Sequence, residues 1–131
     1  MRRPVVDEKT LFFFRDHLPA LPLYKAFEAR VLAEVADVTV KVQKTQIAFA
    51  NKHNFAFVSF LPARRAKERP PVFITVTFGL RRREDSPRID AASEPYPNRW
   101  THHMLVSGPE EIDGELMGWI REAAAFSASK R

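Results

Sequence analysis

Between Leu21 and Val35 the apolar residues Leu23, Phe27, Val31 and Val35 recur every four positions, with Tyr24 and Leu32 beside them. That is the period of a helix burying one face, and Glu28, Arg30 and Glu34 fall on its other side. Pro19 and Pro22 set its start. A shorter helix is predicted upstream, from about Glu8 to His17, with Asp7 as its cap and Glu8 where the helix dipole favours a negative charge. Its Leu11-Phe12-Phe13-Phe14 run is apolar on every side and reads as a plug for one end of a core. A Phe left exposed there would mark a dimer contact.

Downstream the period changes from four to two. Val38 to Gln43 alternates strictly, Gln46 to Ala50 puts Ile47 and Phe49 on one side, and Asn51-Lys52-His53-Asn54 turns the chain into Phe55 to Leu61. Prolines exclude the segment from Pro62 to Pro71 from a strand, and Val72 to Leu80 follows with Val72, Ile74, Val76 and Phe78 on one face. Arg81 to Asn98 has no apolar period and holds Pro87, Pro95 and Pro97, so it reads as one long loop. Arg99 to Val106 returns to strand character. Leu116, Trp119, Ile120 and Ala123 then share a face of a last helix, about Asp113 to Phe126, before a tail from Ser127.

The expected fold is α+β, a single domain over residues 1–131. An antiparallel sheet of about five strands carries two N-terminal helices and one C-terminal helix on one face, because most strands present a single apolar side. The other face or its rim would then be polar.

Composition narrows the function. The 131 residues contain no cysteine, which removes disulfides, thiolate nucleophiles and thiolate metal sites. The first residues lack the apolar run of a secretory signal, and the longest apolar stretches are about half of what spans a bilayer, so a cytoplasmic protein without a membrane segment is expected. Charge is uneven. Residues 41–88 carry eleven Lys and Arg against three acids, a balance of +8, whereas residues 1–40 balance to zero and residues 89–131 to −3. Concentrated positive charge attracts anions and costs self-repulsion.

Neighbouring residues of a strand point to opposite faces, so His102 and His103 cannot chelate one ion together; no metal or cofactor is expected. His102 goes with Trp100 and Met104 toward the core, and His103 with Arg99 and Thr101 toward the polar side. The basic residues fall into three groups: Lys41, Lys44 and Lys52 with the hairpin, Arg64, Arg65, Lys67 and Arg69 in one loop, and Arg81, Arg82, Arg83 and Arg88 after the fourth strand. Arginine forks match phosphate oxygens, and Phe55, Phe57, Phe60 and Phe73 are the rings on which a base would stack. No glycine-rich phosphate loop or nucleophile elbow occurs. An enzyme would need His103 paired with Asp85 or Asp90.

Lys44 to Phe49 before an aromatic strand, Leu80-Arg81-Arg82 followed by Ser86 to Ile89, and Trp100-Thr101-His102-His103 leading to a helix around Trp119 to Ala123 together resemble a family of small bacterial domains of unknown function. Some members of that family are labelled predicted transport protein. The layout is more distantly similar to frataxin-like and DNA-binding-protein-like α+β domains. The resemblance implies a polar patch of Lys44, Gln46, Arg81, Arg88 and His103. The uneven charge makes the leading expectation a non-catalytic module that binds an anion at these residues, with a phosphate-bearing ligand such as a nucleotide, or a nucleic acid, preferred over an acidic protein. A homodimeric interaction or structural module is the alternative.

Overall fold

A computed structural model describes residues 8–130, so the Asp7 cap lies outside the described residues. The architecture is α+β, with one open antiparallel sheet of six strands and three α-helices. Helices α1 (Glu8–Phe13) and α2 (Leu21–Glu34) precede strands β1 (Thr39–Val42), β2 (Ile47–Ala50), β3 (Asn54–Ser59), β4 (Ile74–Leu80), β5 (Ala91–Tyr96) and β6 (Arg99–Val106). Helix α3 (Gly114–Ser129) closes the chain. Strand order across the sheet is β1-β2-β3-β4-β6-β5.

The register shows which side is covered. Phe49 pairs with Ala56 and Ala56 with Phe78, so Phe49 and Phe78 share a face. Phe27 of α2 meets the Phe49 ring edge-on at 5.5 Å, and Trp119 of α3 stacks on Phe78 at 5.8 Å. Both helices thus cover the same side. Ile47, Val58, Ile74, Val76, Met104 and Val106 complete the apolar layer there, all essentially inaccessible to water. The period of two along each strand and of four along α2 and α3 leaves this as the arrangement that removes both apolar sets from water.

Six strands replace the five expected. The sixth, β5, lies inside the segment that reads as loop, because Ala-Ala-Ser-Glu-Pro-Tyr has no buried side to create a period: it is an edge strand exposed along most of its length. Pro95 is tolerated there because a strand at the edge needs no second set of ladder bonds. Asn98, at φ 61°, makes the tight turn into β6; asparagine accepts that left-handed conformation more readily than most residues. Residues 81–90 are then a crossover past β6.

Two boundaries also move. Helix α1 ends at Phe13 and does not reach His17. The expected tail from Ser127 continues α3 to Ser129, since the Ser127 hydroxyl is buried and donates to Asn51 Oδ1 at 2.6 Å while accepting from the His53 amide at 3.1 Å. That clasp fixes the β2–β3 turn to the end of α3.

Candidate functional site

The sheet face without α2 and α3 carries the alternate residues of each strand. Phe57 of β3, Thr77 of β4 and His103 of β6 are consecutive cross-strand partners, in one row across the sheet. With Ser59 they line a groove of about 570 Å³, rimmed by Lys44, Thr45 and Gln46 of the β1–β2 turn, by Leu61, and by Arg15, Asp16 and His17 after α1. Lys44, Gln46 and His103, singled out from the sequence, therefore converge on one groove. Lys44 makes no ion pair among the described residues, and Gln46 donates to Gln43 Oε1 at 3.0 Å, which fixes the turn. His17 stacks on Phe60 with ring centroids 3.9 Å apart and closes one end.

His103 Nδ1 lies 2.8 Å from Thr77 Oγ1, so Nε2 is the nitrogen left for a ligand. Burial pushes this imidazole below its ordinary pKa, and it is neutral at pH 7. His102, one residue earlier, is fully buried on the helix side, stacked on Phe78 at 5.1 Å, and its Nε2 accepts from the Glu84 amide at 2.9 Å. Desolvation lowers its pKa as well. The tandem histidines thus divide as strand alternation predicts. Among the described residues no group of His, Asp and Glu is arranged to hold a metal ion.

The remaining predicted residues go elsewhere. Arg88 Nη1 donates to both Asp113 oxygens at 3.0 Å and to Glu115 at 2.8 Å, while its Nη2 reaches the Glu111 carbonyl at 2.9 Å. Asp113 is the cap of α3, accepting from the Leu116 amide, so Arg88 ties the crossover to the start of that helix. Arg88 is spent on these protein oxygens. Asp90 is likewise occupied: its amide donates to the His103 carbonyl, one carboxylate oxygen accepts from the Leu105 amide at 2.8 Å, and the other accepts from Arg64 at 2.8 Å. It caps the open edge of β6 beyond β5. Asp85 is on Arg83 at 3.1 Å, so neither loop carboxylate bonds the His103 ring.

Arg64 and Arg81 lie at opposite ends of the strands, since β3 ends beside Thr75 and Leu105 whereas Arg81 follows the Leu80–Trp100 pair. The basic loops do not form one cluster. Arg81 Cζ sits 4.7 Å from the centre of the Phe126 ring, away from the groove. Thr77, Ser59, Thr45, Arg15 and His17 were not singled out from the sequence as site residues. The signal for Thr77 was present in the odd positions of β4, which face away from the apolar set.

Fold and groove together define a small α+β domain with α2 and α3 on one sheet face and, on the other, a groove beside the buried Thr75 and Leu105. The chain belongs to the family described as Domain of unknown function (DUF5655), whose model matches residues 12–127. Comparison with curated proteins and with solved structures found no match, and nothing supports the transport label or the frataxin-like likeness. Among the described residues no helix is long and apolar enough to cross a membrane.

Proposed function

We propose that the domain is a non-catalytic binding module whose groove takes a small ligand carrying an anionic group, with a phosphate-bearing molecule such as a nucleotide preferred. The observation that carries this is the meeting of Lys44, Gln46 and His103, from three distant stretches of chain, around one groove. Lys44 supplies a charge that forms no ion pair among the described residues, His103 Nε2 and the hydroxyls of Ser59 and Thr45 supply directional hydrogen bonds, and half-buried Phe57 offers a ring for an aromatic group. Arg15 at the rim is already near Asp16, at 3.8 Å, so the surplus charge of the groove is small. A single phosphate on a compact molecule fits that better than a long polyanion.

Calorimetric titration with a nucleoside monophosphate at about 50 mM and about 200 mM salt tests this. Binding at low salt, weakened about tenfold by Lys44→Ala, matches the loss of one charge-assisted hydrogen bond. Absence of binding at low salt removes the proposal.

One observation favours a second reading, a homodimer. Phe12 of α1 is 65 % exposed with Leu11 beside it, next to β1, whose outer edge pairs with no strand among the described residues.

A further inference from the structure

The end of the sheet away from the groove gathers cations that form no ion pair among the described residues. Arg81 leaves β4, Arg99 begins β6 after the Asn98 turn, and Lys130 follows α3. Arg81 Cζ and Lys130 Nζ lie 4.7 and 4.6 Å from the centre of the same Phe126 ring. Burial, and then the neighbouring charge of Arg99, push the Lys130 ammonium below its ordinary pKa. None of the three forms an ion pair with a carboxylate among the described residues; Arg81 has one long hydrogen bond, 3.4 Å, to Ser129 Oγ.

The simplest structural account is that these cations offset the negative end of α3. That end carries about half an elementary charge, too little for three cations. Glu122 lines the same cavity but is held bidentately by Arg82 at 3.0 and 2.8 Å, and Arg82 also holds Glu84. Counting Arg82 with both of its carboxylates, and Glu94, which accepts from the Asn98 amide at 2.9 Å, the corner keeps a surplus of one positive charge. A cavity of about 690 Å³, lined by Arg81, Asn98, Phe126 and Ser129, opens beside them.

Two arginine forks and an ammonium, with Arg99 beside Arg81 just past the Leu80–Trp100 pair, offer donors to the three free oxygens of a terminal phosphate, whereas a carboxylate or an internal phosphodiester presents two. Asn98 and Ser129 add neutral hydrogen-bonding groups. We propose that this corner, built by Arg81, Arg99 and Lys130 around Phe126 and separate from the groove, binds a terminal phosphate, whether of a phosphorylated small molecule or at the end of a nucleic acid strand.

The test measures binding of inorganic phosphate, of a 5′-phosphorylated single-stranded oligonucleotide and of its 5′-hydroxyl counterpart, at low and high salt. Wild-type protein, Lys44→Ala, the Arg81→Ala/Arg99→Ala pair and the conservative Arg81→Lys/Arg99→Lys pair are compared, with a thermal melt on each. The expected result, read in the Lys44→Ala background so that the groove does not contribute, is saturable binding of phosphate or of the phosphorylated strand, reduced at least tenfold by the alanine pair and mostly retained by the lysine pair. Phosphate binding as tightly as the strand identifies a small-molecule source. A strand preferred more than tenfold over phosphate identifies a nucleic acid end. The proposal is overturned if neither probe binds at low salt, if the hydroxyl strand binds as well as the phosphorylated one, or if the alanine pair binds unchanged. Loss of nucleotide binding in Lys44→Ala, with phosphate binding intact, separates the groove from the corner.

Discussion

Thr77 Oγ1 and His103 Nδ1, on facing positions of β4 and β6, are 2.8 Å apart, which holds the imidazole plane and leaves Nε2 to the groove. Because burial disfavours the imidazolium, His103 should titrate below about 6.5 in NMR spectra of the free protein. A bound phosphate favours the charged ring and should raise the midpoint. A free-protein midpoint above the ordinary histidine value would show that the ring is not buried as described.

Stability should fall on mild acidification. Both His102 and His103 have folded values below the ordinary one, so as pH drops through about 6.5 the unfolded chain takes up protons that the native chain does not. Unfolding free energy then decreases with falling pH by up to about 1.4 kcal/mol per pH unit for each histidine. Above that window both states are neutral and the contribution is flat. Urea denaturation between about pH 7.5 and about pH 5.5 reads this without titrating Glu34, Glu84 or Asp113, which hydrogen bonds from Arg30, Arg82 and the Leu116 amide, respectively, hold below the usual carboxylate range. His102→Phe should flatten the slope while costing about 1 to 3 kcal/mol overall, since the Glu84 amide loses its acceptor. An unchanged slope would count against a buried neutral His102.

Arg88→Ala should loosen the crossover more than it destabilises the fold. Its carboxylate partners are about half exposed, at 44 and 54 %, so the ion pairs are screened and the expected cost is about 1 kcal/mol. Amide exchange should quicken over residues 84–90, with the Asp113 cap of α3 retained. Protection equal to wild type across the crossover would refute the tie.

Phe12→Ser should change stability by less than about 0.5 kcal/mol, because the ring is already mostly in water. Sedimentation decides its role. A wild-type dimer that becomes a monomer on substitution supports the homodimeric reading, whereas a wild-type monomer at high concentration ends it.

The strand and helix patterns named the helices and five of the six strands because each buries one side, and burial writes itself into sequence as a repeat. Strand β5 left no such trace: its pairing is all backbone, and Ala91–Tyr96 hides almost nothing from water. The alternation of β6 sufficed to part His102 from His103, since neighbouring residues of a strand cannot face the same way.

Which cations matter was not legible in the same way. Arg64, Arg82, Arg83 and Arg88 look equivalent to Lys44 and Arg81 in a list of charges, yet each meets a carboxylate 2 to 40 residues away. The covalent order of residues settled the helices, the five strands other than β5 and the one-sided core, through local conformational preference and the exclusion of apolar surface from water. Whether a charge stays free for a ligand depends on Coulomb partners that only the packed chain brings within a few ångströms, so the tertiary structure alone decided that.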